Sequence, residues 1–423
     1  MFTKPFLRSS GTSVYRRWNR HYNEASGTNQ DDYVEHLFVE KSSDLGELLS
    51  HLESAESIAF DTEFVSESSY KPDLCLIQVA TRDVVGVIDP KSVGELSGFW
   101  DCLTRESVQV IVHAAREEFR FCKRESGKRL GNLFDVQVAA GMIGIEYPAA
   151  YSTLIQKILK ETVAKGETRT DWRKRPLTAK QIEYAEKDVI YLHQLFDWTS
   201  QQLNSMERMD WFVDEMQLQQ NKFEQQDSEF AWTRISGINS LRGNELAIAK
   251  ELFFWREREA ERRDCPVRRV LRDDLITEMA KRKSSDPERI KSIRGMDRRD
   301  ISSQIASIAS VIEEALTLPK PAMPPAPNRQ QNQQLSLIGQ FMNAVLASIC
   351  KDCGLAPAIV GNSTDVKDLI AHELKLNHAK KDPALSRGWR AQIIGNKLKD
   401  VLHGKASIKI RDPLGENPLE FLG

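Results

Sequence analysis

The sequence predicts an α/β domain with a mixed sheet, followed by two all-α modules. Four apolar runs, SIAFDTEFV, DLCLIQVA, VVGVID and VQVIVHA, are typical of buried strands. Short turn-like segments separate the first three runs, which predicts an antiparallel meander. After His113 the pattern becomes helical, and from Trp232 to Leu318 apolar residues recur at spacings of three and four. A second helical stretch follows a segment rich in Pro and Gln.

These patterns divide the chain of 423 residues into six segments. The predicted bounds are 1–35 for a flexible tail, 36–202 for the α/β domain, 203–231 for a connector, 232–318 for a first helical module, 319–335 for a Pro/Gln-rich linker, and 336–423 for a second helical module.

Charge and composition limit the class of protein. The net charge is −2, which argues weakly against a general nucleic-acid binder, although Arg and Lys crowd the stretch 256–299. That stretch is either a local basic face or a set of solvated helix faces, because acidic residues are interleaved. Six scattered cysteines indicate a reducing compartment. With no secretory signal and no apolar run of about 18 residues, we expect a cytoplasmic protein.

The first predicted strand carries two acidic residues. Asp61 and Glu63 are two positions apart, so their side chains point to the same face of the strand. Two carboxylates on an otherwise apolar strand are costly unless a cation or solvent compensates them. The spacing alone leaves two interpretations open, a divalent-cation site and a solvated strand end.

Two further segments bring acids beside predicted helices. The segment VIVHAAREEF runs from a strand into a helix, with Glu117 and Glu118 in its first turns. Helix dipoles also favour acids at that position. Thr178 and Gln181 form a capping-box pattern, which predicts a helix from about Ala179. On that helix Tyr184 and Asp188 share one face, because they are four residues apart.

In this order the motifs resemble the DEDD exonuclease superfamily, and a Tyr before the last Asp resembles its DEDDy branch. The segments LCLIQVA, HAAREEF, LFDVQVAAGMIG and DWRKRPLTAKQIEYAEKDVIYL are similar to those of the ribonuclease D family over residues 37 to 202. The resemblance implies a ribonuclease H-like fold and 3′→5′ hydrolysis of RNA, one nucleotide at a time.

The resemblance also implies a cofactor and roles for Asp61, Glu63, Asp188 and Tyr184. Two Mg²⁺ or Mn²⁺ ions would be held by carboxylates, which suit these hard cations. Asp61 would bridge both ions, and Glu63 and Asp188 would hold the ion that activates water. Tyr184 would orient that water.

The third carboxylate position departs from the family pattern. The family has Asp where this sequence has Glu118, whose side chain is longer by roughly 1.5 Å. Asp135 is the nearest other acid, and the family pattern indicates a structural role for it. We therefore expect Glu118 to be the third ligand.

The helical modules resemble HRDC domains. The segments WREREA, DCP, LRDDLI and IRG resemble a first HRDC domain, and 336–421, with GWR and IGNKL, resembles a more divergent copy. No G-x-x-x-x-G-K-[ST] motif is present, so we expect neither a helicase nor a nucleotide cofactor.

The expected partner is RNA with a free 3′ end, such as a tRNA precursor, and we expect a monomer with no membrane contact. A DNA 3′→5′ exonuclease and an RNA-binding protein with a weakened nuclease site are the alternatives.

Overall fold

A computed structural model describes residues 17–20, 33–163, 170–226, 231–296, 298–318, 329–376, 382–415 and 417–422. The chain divides into two compact units. The first unit contains Met1–Glu63, Leu74–Gln220 and Pro327–Gly423, and the second contains Phe64–Asp73 and Asn221–Ala326.

One mixed sheet of seven strands, ordered β1-β2-β5-β4-β3-β6-β7, forms the centre of the first unit. Its strands are β1 (Arg17–Arg20), β2 (Tyr33–Val39), β3 (Ser57–Val65), β4 (Asp73–Ala80), β5 (Val84–Ile88), β6 (Gln109–Val112) and β7 (Asn132–Asp135). β3 runs parallel to β6, β6 to β7, and β2 to β5, whereas β4 runs antiparallel to β5. The three runs predicted as a meander lie side by side.

The helices up to Gln226 lie between β2 and β3, between β5 and β7, and after β7. They are α1 (Ser42–Ser54), α2 (Pro90–Val93), α3 (Ser97–Leu103), α4 (Arg116–Ser126), α5 (Val136–Met142), α6 (Tyr151–Leu154), α7 (Ala179–Ile190), α8 (Leu192–Ser205) and α9 (Met209–Gln226).

Both faces of the sheet are covered, which explains why β4 and β5 are almost continuously apolar. On one face, α1 packs so closely on β5 that a Cβ at Gly86 would lie 2.7 Å from a methyl carbon of Leu48. On the other face, Nδ1 of His36 in β2 lies 3.0 Å from a carboxylate oxygen of Glu186 in α7. Gly86 lies opposite Leu37, the residue after His36. Because successive side chains of a strand point to opposite faces, Gly86 and His36 lie on opposite faces of the sheet.

The start of α7 is fixed by its capping residues. Thr178 Oγ1 accepts a hydrogen bond from the Gln181 N–H, and the Gln181 side chain accepts one from the Thr178 N–H. The helix therefore begins at Ala179, as the capping-box pattern predicts. This fixes which way Tyr184 and Asp188 face.

The C-terminal region belongs to the first unit. Its helices are α16 (Arg329–Asp352), α17 (Pro357–Val360), α18 (Ser363–Glu373), α19 (Gly388–Arg390) and α20 (Asn396–Leu402). Buried Arg390 donates to Glu215 of α9 at 2.7 Å, and Arg208 donates to the carbonyls of Met142 and Gly354 at 2.6 and 2.7 Å. These hydrogen bonds fasten the C-terminal helices to the helices around the sheet.

The second unit is helical apart from residues 64–73, which contain the end of β3, the start of β4 and the loop between them, and it has a separate apolar core. Its helices are α10 (Asn244–Arg262), α11 (Val267–Val270), α12 (Asp273–Arg282), α13 (Pro287–Lys291), α14 (Arg299–Ser302) and α15 (Ile305–Thr317). Leu252 on α10, Ile276 on α12 and Ile312 on α15 are fully buried in this core. The helical periodicity predicted for this region is confirmed.

Two predictions about the ends of the chain need correction. A flexible tail over 1–35 is wrong for Arg17–Arg20, which pair with β2, and for the first residues of β2; the other tail residues lie outside the described ranges. The C-terminal module, predicted as all-α, also contains a hairpin of β8 (Ser407–Ile410) and β9 (Leu419–Leu422). Each of these strands is only four residues long, so alternation is too brief to stand out in the sequence. Across the described ranges, no helix is long and apolar enough to cross a membrane.

Candidate active site

Strand β3 delivers Asp61 and Glu63 near its carboxyl end. The strand is anchored by Ile58, Ala59 and Phe60, which are fully buried. Thr62, between the two acids, is also buried, and its Oγ1 donates to Oε1 of Glu118 at 2.9 Å. The strand that carries two of the predicted site residues therefore also holds the third.

The junction between β6 and α4 positions Glu118. β6 pairs in parallel with β3, with Ala59 opposite Ile111, so both strands end at the same edge of the sheet. Glu118 lies in the first turn of α4 and is only 4% exposed. The structure thus brings Glu118 to the edge that carries Asp61.

Asp135, the other acid near this junction, has a structural role. Its carboxylate accepts hydrogen bonds from the N–H groups of Ala114, Ala115 and Gln137 at 3.0, 2.9 and 2.8 Å. Ala114 has a φ of 64°, in the left-handed region that is unfavourable for residues with a side chain. Asp135 therefore stabilises a strained turn and caps α5.

Helix α7 contributes Tyr184 and Asp188. The Tyr184 hydroxyl donates to the Asp188 carboxylate, as their spacing of four residues allows. The Tyr184 ring lies 6.0 Å from that of buried Trp172. The hydrogen bond between them therefore holds both residues in place, and aromatic packing also holds Tyr184.

Arg175 anchors the segment before α7, and sequence analysis did not assign it a role. Its guanidinium donates to Asp89 at 2.8 Å and to the carbonyls of Cys75 and Trp172 at 2.8 and 2.7 Å. Burial raises the pKa of Asp89, but the hydrogen bonds and the charge of Arg175, together with hydrogen bonds from Lys91 and Ser92, leave the pKa below its usual value. Arg175 thereby ties the segment that carries Trp172 to the sheet.

The four predicted carboxylates lie in one electrostatic neighbourhood. Burial, followed by repulsion from Glu118, Asp188 and Glu63, raises the pKa of Asp61 well above its usual value. Burial and repulsion from Asp188 and Glu118 raise the pKa of Glu63 to about 8. Burial is also the main cause that raises the pKa of Glu118 and of Asp188 to about 7. No positively charged side chain of the described residues is among the main causes that act on these four pKa values.

The side chains do not form a closed coordination shell. Among the described residues, no three Asp, Glu, His or Cys side chains converge closely enough to hold a metal ion as they stand. Glu118 is directed to Thr62 by the hydrogen bond described above. The donor set nevertheless fits hard divalent cations, because it contains only carboxylate oxygens and because its members repel one another.

Tyr151 is a second residue at this site that sequence analysis missed. It begins α6, and its ring lies 5.5 Å from that of His113, which follows β6. The charges of Asp188 and Asp61 act on its phenol. No short-range pattern in the sequence marks Tyr151, because the chain between β6 and α6 brings it back to the site.

Comparisons with known proteins identify the family of this chain. A family profile described as 3'-5' exonuclease matches residues 37–204, and one described as HRDC domain matches residues 245–312. The ribonuclease D of Zymomonas mobilis is 30% identical over 385 residues, which cover 89% of this chain and 96% of that protein. The ribonuclease D of Bartonella henselae is 29% identical over 372 residues, covering 87% of this chain and 90% of that protein.

The fold agrees as well. The crystal structure of Escherichia coli RNase D, an exoribonuclease involved in structured RNA processing, matches with a TM-score of 0.77 and 25% identity, covering 87% of this chain and 99% of that one. Both the predicted ribonuclease H-like fold class and the predicted relationship are confirmed. The chain belongs to the ribonuclease D family and is, by that membership, a hydrolytic 3′→5′ exoribonuclease.

Proposed function

We propose that this protein trims the 3′ ends of tRNA precursors or other structured RNAs by a mechanism that uses two divalent cations, Mg²⁺ or Mn²⁺. The observation that supports this most directly is the buried cluster of Asp61, Glu63, Glu118 and Asp188, whose charges repel one another. Cations between them would relieve that repulsion.

The ligand assignment follows the DEDD pattern. Asp61 would contact both cations. Glu63 and Asp188 would hold the cation on the side of the attacking water, and Glu118 would hold the other cation. The cations supply Lewis acidity and neutralise charge that develops on the scissile phosphate. The distinct position of each carboxylate, on β3, α4 or α7, is compatible with this division of roles.

Tyr184 would orient the attacking water. Burial, followed by the charges of Asp188 and Glu63, raises its pKa, so its hydroxyl stays protonated at neutral pH. Because this hydroxyl already donates to Asp188, its oxygen is free to accept a hydrogen bond from water. Tyr184 would thus position water for in-line attack and would not itself act as a base.

Glu118 would bind the cation at the position where the family has Asp. Its carboxylate is held by Thr62 at 2.9 Å, so the longer side chain has a defined position. Glutamate also retains the charge and the oxygen atoms that a hard cation requires.

The helical regions would contribute affinity for RNA. We propose domain bounds of 36–202 for the exonuclease, 232–318 for an HRDC domain and 336–423 for a second HRDC-like domain. We also propose that the protein is cytoplasmic and monomeric. In the second unit, Arg268 and Arg269 are exposed and have no ion-pair partner among the described residues. Such residues suit phosphate contacts, which give affinity without sequence specificity.

A digestion experiment tests the proposal. A 3′-extended tRNA and a matched single-stranded DNA are incubated with Mg²⁺ or Mn²⁺ and with wild-type protein, Asp61→Asn or Asp83→Asn. Asp83 lies in the exposed turn before β5, so Asp83→Asn makes the same chemical change away from the site.

We expect wild type and Asp83→Asn to give a stepwise 3′ ladder on RNA, and we expect Asp61→Asn to give none. A ladder on DNA alone would favour the DNA exonuclease. Tight RNA binding without cleavage under either metal would favour an RNA-binding protein with a weakened site.

A further inference from the structure

Tyr151 has a buried hydroxyl oxygen that finds no hydrogen-bond partner among the described residues. A buried hydroxyl without a partner is destabilising, so its retention suggests a partner that the protein binds. The backbone N–H of Tyr191 lowers the pKa of Tyr151, but it does not reach hydrogen-bond geometry with the hydroxyl.

The position of Tyr151 is set by His113. β6 pairs in register with β3 up to Ala59 and Ile111, so His113 lies at the level of Asp61 when the pairing is continued by two residues. The His113 ring lies 5.5 Å from the Tyr151 ring, and His113 Nε2 lies 2.8 Å from the carbonyl oxygen of Ala149. These contacts hold α6 at the edge of the sheet that carries the carboxylates.

The phenol remains a hydrogen-bond donor at this position. Burial, followed by the charges of Asp188 and Asp61, raises the pKa of Tyr151 well above its usual value. A neutral O–H group beside anionic side chains can bind an oxygen atom of an entering ligand without adding charge to the cluster.

We propose that the Tyr151 hydroxyl is a substrate-contacting group that donates a hydrogen bond to an oxygen of the 3′-terminal nucleotide. The inference rests on the proposed function, because that function places the terminal nucleotide beside Asp61 and Asp188. The acceptor is either the 2′-hydroxyl oxygen of the ribose or an oxygen of the phosphate, since both offer the same acceptor chemistry.

The test compares Tyr151→Phe with wild type on two RNAs, one all-ribose and one with a 2′-deoxy terminal nucleotide. kcat and KM are measured, together with the affinity of each fluorescein-labelled RNA by anisotropy. Tyr147→Phe is the matched control: its hydroxyl is hydrogen-bonded to Gln219 of α9, and its pKa is raised by burial and by the charges of Asp135 and Glu215 and not by those of the four site carboxylates.

We expect Tyr151→Phe to lower kcat/KM or affinity on the all-ribose RNA by roughly 5- to 10-fold, as for one lost hydrogen bond. If the acceptor is the ribose, the loss disappears on the 2′-deoxy RNA, which wild type already handles more slowly. If the acceptor is the phosphate, the loss is equal on both RNAs. The melting temperature of Tyr151→Phe should not fall, because the hydroxyl has no hydrogen-bond partner in the part of the chain that the structure describes.

The proposal is overturned if Tyr151→Phe equals wild type within twofold on both RNAs in kinetics and in binding. It is also overturned if the melting temperature falls by several degrees, since the hydroxyl would then have a structural partner. A different outcome is that wild type shortens no RNA while Tyr151→Phe still weakens RNA binding. That result would refute the proposed function but would still support a contact between Tyr151 and RNA.

Discussion

Two glutamates show how differently the two units of this protein use charge. In the first unit the pKa of Glu63 is raised to about 8 by burial and by repulsion from Asp188 and Glu118. In the second unit the pKa of Glu259 is lowered to about 2, chiefly by hydrogen bonds from Arg262 and also from Arg263. Among the described residues, no positive charge is a main cause of the shift at Glu63, whereas two arginines act on Glu259.

The difference between these two pKa shifts distinguishes a site whose charges need a ligand from a surface whose charges are already paired. Ion pairs such as Arg282–Glu278 and Lys283–Glu245, both at 2.9 Å, already satisfy much of the basic stretch in the second unit. Exposed pairs of this kind contribute little to stability. A buried group of like charges is costly in the free protein and is therefore a better indicator of function.

The largest expected effect distinguishes two adjacent glutamates on α4. Glu118 is buried at the site, whereas Glu117 pairs with Arg120 at 3.0 Å on a more exposed face. We expect Glu118→Gln to lower kcat by roughly 10²- to 10³-fold, as for loss of one electrostatic contact to a reacting phosphate. Glu117→Gln should stay within twofold of wild type. Equal activities in a single-turnover assay would remove Glu118 from the site.

A second comparison concerns a buried and an exposed ion pair. Arg175→Ala leaves Asp89, which is 0% exposed, without its partner, and we expect a loss of about 3 kcal/mol in the free energy of unfolding. Arg82→Ala breaks the exposed pair with Asp197 and should cost below about 1 kcal/mol. Urea denaturation measures both. Similar losses for the two variants would show that Arg175 is not the anchor described above.

The smallest expected effect lies in the basic stretch of the second unit. The double variant Arg268→Ala/Arg269→Ala should weaken RNA binding by about 5- to 10-fold and reduce the salt dependence by about 0.7 per lost phosphate contact. Arg262→Ala/Arg263→Ala removes the same charge, but both arginines are paired with Glu259, so binding should change less. Anisotropy titrations at several salt concentrations would show whether the pairs differ. Equal losses would mean that net charge alone governs binding.

Short-range signals made much of the site predictable from sequence. The alternation along β3 and the capping box at Thr178 each act within a few residues, and both appear in the structure as predicted. The family resemblance then indicated that these acids belong to one site, because local patterns cannot relate residues that are far apart in the sequence.

Contacts between distant residues escaped sequence analysis. Arg175 and Asp89 are 86 residues apart, and nothing near either residue marks them as partners. β7 is four residues long and leads directly into α5, so it is too short to show an alternating pattern. Tyr151 reaches the site only because α6 packs beside His113.

The central claim is that the repelling carboxylates form a cation site, and a thermal melt tests it most directly. Wild type, Asp61→Asn and Asp83→Asn are melted with EDTA and with Mn²⁺. A ligand at about 100 times its Kd stabilises a protein by about 2.7 kcal/mol, which corresponds to several degrees.

We predict that Mn²⁺ raises the melting temperature of wild type and of Asp83→Asn by several degrees. Asp61→Asn should melt no lower than wild type in EDTA, because one repelling charge is gone, and should gain nothing from Mn²⁺. The claim would be contradicted if Mn²⁺ left wild type unchanged or stabilised Asp61→Asn to the same extent.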